Sequence, residues 1–164
     1  MSVTATKADV ERDLVEAWQA LASAVDSFSD VELEQPGVVE DWSVKDLLGH
    51  IAFWAQEAAR NLPLIATGKA EEVRRPASQG DVDEWNEREQ RLRQGRPLYD
   101  VREEWLESFQ RAMQALAAFP SEKLQEEFEG RTVLELFAED TYDHYREHRA
   151  QLVGWRQELA TTEA

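Results

Sequence analysis

The chain has three histidines, and their placement is its first feature with chemical content. His144 and His148 stand four residues apart in Asp140-Thr-Tyr-Asp-His144-Tyr-Arg-Glu-His148-Arg-Ala-Gln-Leu152. In a helix of 3.6 residues per turn, positions i and i+4 share a face and their side chains lean the same way. Two imidazoles so placed can hold one metal ion. Surface helices also carry such pairs by chance, so the pair alone does not define a site. His50 falls among Leu47, Ile51, Trp54 and Ala58, the inward stripe of a second helical segment. A lone histidine on such a face is more often a core residue bonded within the bundle than a ligand. A site built on two helices would use the entire histidine complement.

The chemistry of that arrangement is definite. Three neutral imidazoles leave a dication with open positions for water or a substrate atom. Metal-bound water can reach a pKa near about 7, and a metal can equally present a thiol cofactor as its thiolate. Imidazole ligands suit zinc, nickel or iron. Asp140, one turn before His144, is placed to orient it or to accept a proton; its bland alternative is a helix residue at the solvent edge. Glu57, two turns past His50, has weaker claims of the same kind.

The elements that must position these residues are helices. Val10, Leu14, Ala17, Trp18, Leu21, Val25 and Phe28 recur at helical spacing and predict a first helix over 8–28. The second opens at a capping box, Ser43 with Asp46, and carries Leu47, His50, Ile51, Trp54, Ala58 and Leu62 inward. Pro63 is expected to end or kink it, and Gly68 marks its end. Residues 69–97 form a long polar connection with a short helix over 81–93. A connection of that length between bundle helices is often functional, and it is expected to cover the mouth of the site. A third helix runs from Pro97 to Pro120 with Val101, Trp105, Phe109, Ala112, Met113 and Leu116 inside. The fourth opens at a second box, Thr132 with Glu135, and runs to about Leu159. Val133, Leu136, Phe137, Asp140, His144, His148, Leu152 and Trp155 line one side of it. Polar groups on that inner face are costly unless bonded or metal-bound. No strand-like alternation occurs. The fold class is therefore all-α, a four-helix bundle with long connections and not a simple up-down-up-down one.

Length and composition set outer bounds. With 164 residues, 42% hydrophobic and 32% charged, the chain reads as one globular domain over 1–164 with its core over about 8–159. A formal net charge of −16 argues against nucleic-acid partners and against anionic membranes. There is no cysteine, which excludes disulfides, thiolate nucleophiles and cysteine ligands. The first residues lack the apolar core of a signal peptide, and no apolar run approaches the roughly 20 residues of a membrane helix. A cytoplasmic protein is expected.

Trp42-Ser-Val-Lys-Asp46-Leu-Leu-Gly-His50-Ile-Ala-Phe-Trp54, followed by His144-x-x-x-His148, resembles the DinB/YfiT-like superfamily over roughly 8–157. Within it, the Trp-Ser-Val-Lys-Asp run and Asp83-Glu-Trp85-Asn86 look most like the ClbS/DfsB-type branch. The resemblance implies a four-helix bundle in which His50, His144 and His148 bind a divalent metal (zinc, nickel or iron). It implies a metal-dependent hydrolase or a thiol-dependent transferase acting on a small electrophilic molecule, in a protein that self-associates as a homodimer. Trp54, Trp85 and Asn86 are the expected substrate wall, and Asp140 the expected catalytic residue. The alternative is a non-catalytic bundle that sequesters a small ligand. No residue matched here identifies a thiol-cofactor pocket.

Overall fold

Two of the long helices begin where a side chain can take up amides that the first turn leaves unpaired. In the computed structural model, which describes residues 3–163, α1 (Lys7–Asp26) opens at a Thr6–Asp9 capping box and α3 (Val44–Ala66) at Ser43–Asp46. A third box, Thr132–Glu135, opens α6 (Val133–Asp140). In each, the cap hydroxyl accepts the backbone N–H three residues on while the carboxylate reaches back. Between α1 and α3 the connection contains a single helical turn, α2 (Asp30–Leu33), started by a box of its own, Ser29–Glu32.

The apolar stripes meet in one core. α1 contributes Val10, Leu14, Trp18, Leu21 and Val25. α5 (Leu98–Ala118) contributes Val101, Trp105, Ala112 and Leu116. Trp18 lies at the centre, 4.2 Å from the Trp105 ring, stacked on Phe109 at 4.5 Å and edge-on to Tyr145 at 5.8 Å. Each fully buried Leu, Ile or Phe contributes about 1.5–3 kcal/mol relative to exposure. The principal packing pairs are α3 with α5 and α1 with α7 (Tyr142–Thr162). α1 and α3 follow one another directly among the long helices yet are not a principal pair, whereas α3 and α5 are, so the packing does not simply follow chain order. This is an all-α four-helix bundle with long connections, of the non-sequential kind.

Three details depart from expectation. Pro63 does not end α3: it is exposed in the last turns, and the helix runs on to Ala66. The stop comes from Gly68 (φ +76°), with its N–H on the Ile65 carbonyl and the Lys69 N–H on that of Leu64 at 2.8 Å, a glycine cap of the paired type. A small antiparallel hairpin, β1 (Glu127–Phe128) and β2 (Arg131–Thr132), precedes α6. Its turn residues Glu129 and Gly130 both have positive φ, the geometry a two-residue hairpin loop needs. Finally, the single fourth helix expected over 132–159 is two helices, broken at Thr141 (φ −127°, ψ −100°). Its N–H bonds the Ala138 carbonyl, and its hydroxyl takes the Phe137 carbonyl at 2.6 Å. A buried threonine thus satisfies the break from its own side chain.

Candidate metal centre

His50 lies in the second turn of α3, and His144 and His148 lie on successive turns of α7 just past the Thr141 break. The structure brings the three imidazoles to one point. His144 Nε2 is 2.9 Å from His50 Nε2 and 2.8 Å from His148 Nε2. His148 is 6% exposed, and its Nδ1–H donates to Gln151 Oε1 at 2.6 Å. An amide oxygen only accepts, so this bond puts the proton on Nδ1 and the lone pair on Nε2. His144 Nδ1 is buried with no partner. Burial disfavours the imidazolium at all three positions. His50 is pushed down to about 3, first by burial and then by repulsion from His148. His144 falls well below its ordinary value, again chiefly by burial, and His148 is lowered although Gln151 pulls it back up. Neutral imidazole is the form that ligates. Tetrahedral zinc–nitrogen bonds of about 2.0–2.1 Å place ligand nitrogens about 3.3 Å apart. An opening of roughly half an ångström would therefore seat an ion, and the residues fit the group.

The histidines form the floor of a cleft with two lobes, of about 310 Å³ and 490 Å³. Both lobes touch His50, His148, Asn86 and Glu147. The roof is α4 (Gln79–Arg93), capped by Ser78, which starts slightly before the expected 81–93 and does lie across the mouth. Arg93 bonds Glu89 Oε2 at 2.8 Å and Glu104 Oε1 at 2.6 Å. Its stem lies against Gly49, where an added Cβ would come within 2.6 Å of Arg93 Cδ; the residue before His50 is small so that α4 can sit close. At the other end of the connection, Arg75 donates to Asp140 Oδ2 at 2.8 Å. Burial pushes the Asp140 carboxyl up to about 6, with Arg75 pulling it back down.

The other expected residues separate into layers. Trp54 lines the smaller lobe, and its Nε1–H donates to Asn86 Oδ1 at 2.9 Å. Asn86 faces both lobes. Trp85 lies outside both: it stacks behind Trp54, 6.1 Å away at 15°, under the Arg88 guanidinium. Its expected place in the wall is corrected to a support for the wall. Asp140 lines the smaller lobe, but its bond is to Arg75, not to His144. Glu57 is buried outside the cleft, paired with Arg60, its carboxyl raised chiefly by burial. Sequence reasoning passed over Arg75, Glu147, Gln151 and the cleft-facing side of Trp42. Gln151 was legible as the residue one turn after His148. Arg75 was not, because its partner is far along the chain.

A bundle with histidines from its second and fourth long helices meeting under a helical roof defines the DinB/YfiT-like class. The chain belongs to the family described as mycothiol maleylpyruvate isomerase N-terminal domain, whose sequence model matches residues 14–151. A comparison with curated proteins gave no match. Among solved structures it is similar to an uncharacterised protein from Escherichia coli UTI89, at 15% identity, TM-score 0.82, and 98% coverage of both chains. It is also similar to the colibactin self-resistance protein ClbS in complex with a dsDNA: 13% identity, TM-score 0.80, 93% of this chain and 96% of that one. A third neighbour is the sibling lethal factor precursor DfsB: 9% identity, TM-score 0.80, 96% and 98% coverage. At these identities the likeness is one of fold. It still corrects one expectation. The exclusion of nucleic acid from the net charge does not hold, because a protein of this fold is seen with double-stranded DNA. Net charge sums the whole surface, whereas phosphate contacts depend on a local patch. No helix among the described residues is long and apolar enough to cross a membrane.

Proposed function

We propose that the chain is a metal-dependent enzyme that delivers a small nucleophile to a small electrophilic molecule, with His50, His144 and His148 as ligands of a divalent zinc, nickel or iron ion. The convergence of three Nε2 atoms on the floor of an open cleft carries this reading. Structural zinc sites close with four protein ligands, whereas catalytic ones use three and leave a position free. A bound ion would lower the pKa of a water or thiol in that free position. The chain's own groups do the rest. Gln151 fixes the His148 tautomer, Trp54 supplies an apolar wall, and Asn86 offers a polar group across the mouth. Asp140, with its raised carboxyl and its place in the smaller lobe, is the proton acceptor we assign.

Thiol transfer is favoured over hydrolysis for two reasons. Two lobes meeting at one centre accommodate two reactants, and the family's description names a thiol, mycothiol. In the transfer a sulfur–carbon bond forms, the thiol proton passes to the base, and the leaving group departs with its electron pair.

The test loads chelator-treated protein with zinc, nickel or ferrous ion and incubates it with chlorodinitrobenzene, with and without mycothiol, following the products by mass spectrometry. Many equivalents of thioether per chain, dependent on metal and thiol and absent in His144→Ala, are expected. Capture of a single equivalent without turnover would instead establish the sequestering bundle.

A further inference from the structure

The two lobes of the cleft differ in charge, and the difference points to a ligand class. Arg75 supplies a cation to the smaller lobe, beside Glu139, Asp140 and the shared Glu147. The larger lobe is faced by Glu40, Asp83, Glu87 and Glu147, and among the described residues lining it there is no lysine or arginine. Trp42 forms part of its wall, its ring edge-on to His50 at 5.4 Å between centroids. The acidic side chains are exposed at the rim, while the floor is the buried His148. They are only lightly engaged: Asp83 accepts from Gln79 at 3.0 Å, and the Glu87–Arg91 ion pair is long and exposed at 3.7 Å. Glu40 also holds a left-handed backbone (φ 51°), a conformation that glycine or asparagine adopts more easily.

An aromatic face beside several carboxylates is the arrangement that recognises an organic cation, through ring quadrupole and charge together. A cleft with low-dielectric walls also concentrates ions of the matching sign. We infer that the larger lobe, bounded by Trp42, Glu40, Asp83, Glu87 and Glu147, is a binding subsite for the ammonium group of an organic cation whose other end reaches the histidine floor. One reactant is thus an amine or quaternary ammonium compound, and an anionic reactant is excluded from this lobe. The inference rests on the cleft being the ligand site of the proposed enzyme.

Three probes of one shape and different charge test it: choline, its uncharged carbon isostere neohexyl alcohol, and the anion tert-butylacetate. Binding is measured by calorimetry and tryptophan fluorescence on chelator-treated and on cobalt-loaded protein. Choline should bind about tenfold tighter than the alcohol, with the anion weakest, because a desolvated cation over an indole face gains what the isostere cannot. The preference should shrink at about 0.5 M salt, where exposed charges are screened within a few ångströms. The double variant Glu87→Gln/Glu147→Gln changes two exposed side chains and keeps the fold; it should lose most of the preference while retaining its metal. Equal binding of choline and alcohol, tightest binding of the anion, or a preference that survives the double variant would overturn the subsite. Metal content, measured in the same samples, decides the parent reading separately. Choline selectivity without metal uptake upholds the subsite and sinks the metal centre; metal uptake without selectivity does the reverse.

Discussion

α3 and the α6–α7 pair each bring histidine to the same point, and they do so by opposite means. α3 is one unbroken helix with its cap, a largely apolar inner side and a glycine stop, and its polar interruptions, His50, Glu57 and Asn61, are spread along its length. α6–α7 is broken at a buried threonine and puts Asp140, His144 and His148 where apolar residues would otherwise stand. Its stability there depends on specific bonds: Thr141 to Phe137, Arg75 to Asp140, Gln151 to His148. The first element is a platform made by packing, the second a polar assembly made by partners. Substitutions on the two should therefore fail differently.

The largest effect is expected on the platform. Ile51 is fully buried beside His50, and Ile51→Ala should cost about 2–5 kcal/mol by lost transfer energy and cavity formation. Urea unfolding should report it equally with and without metal. A metal-dependent loss would show that α3 is not the passive partner.

Next comes pH. The unfolded chain takes up protons near 6.5 at each histidine, while the folded, metal-free protein resists them, His50 down to about 3. The stability is therefore fully present above about pH 7 and is lost as pH falls through 6.5 toward 3, by up to about 1.4 kcal/mol per histidine per pH unit. Asp140 works the other way: with its carboxyl raised to about 6, its burial penalty is relieved as pH falls from 6 to 4. Urea midpoints at pH 7.5 and 5.5 should differ in the native chain. The difference should flatten in the triple variant His50→Gln/His144→Gln/His148→Gln; an equal slope in both would remove the histidines from the account.

Smaller effects should separate the bonds within α6–α7. Gln151→Leu removes the acceptor that fixes His148; it should weaken metal binding about 10–100-fold and cost about 1–3 kcal/mol of metal-free stability through the buried Nδ1–H left without an acceptor. Unchanged affinity by calorimetric titration would mean that the bond is incidental. Thr141→Val keeps the shape and loses the hydroxyl, so it should cost about 1–2 kcal/mol through the Phe137 carbonyl left short of a donor. If the variant is as stable as the native chain, the break is held by packing alone.

The same contrast explains what the sequence disclosed. α3 could be read closely because a capping box, an apolar period and a glycine stop are local signals. The histidine triad could be assembled because helical spacing fixes faces, and the motif around Trp42 and His50 carries a family resemblance. The Thr141 break could not be read: neither proline nor glycine marks it, and a threonine in a helical pattern is unremarked until its hydroxyl is seen on Phe137. The hairpin was hidden because Glu129-Gly130 is a weaker turn signal than Asn-Gly or Asp-Gly. Trp85 and Asn86 are neighbours in sequence, yet only Asn86 faces the cleft; the roll of α4, set by Arg93 lying on Gly49, decides which. That contact joins residues far apart in the chain, and no local pattern encodes it.

The most direct test of the metal centre is the melting temperature of metal-loaded and chelated protein, measured for the native chain and for His148→Ala, with element analysis of the same samples. An ion that binds only the folded state stabilises it by about 2.7 kcal/mol at 100 times its dissociation constant. For a chain of this size each kcal/mol moves the midpoint by roughly 2–4 °C. The account predicts one ion per native chain and a drop of about 5–10 °C on chelation, with both absent in His148→Ala while its helical signal persists. Native protein that takes up no ion and melts at one temperature with or without chelator would contradict it.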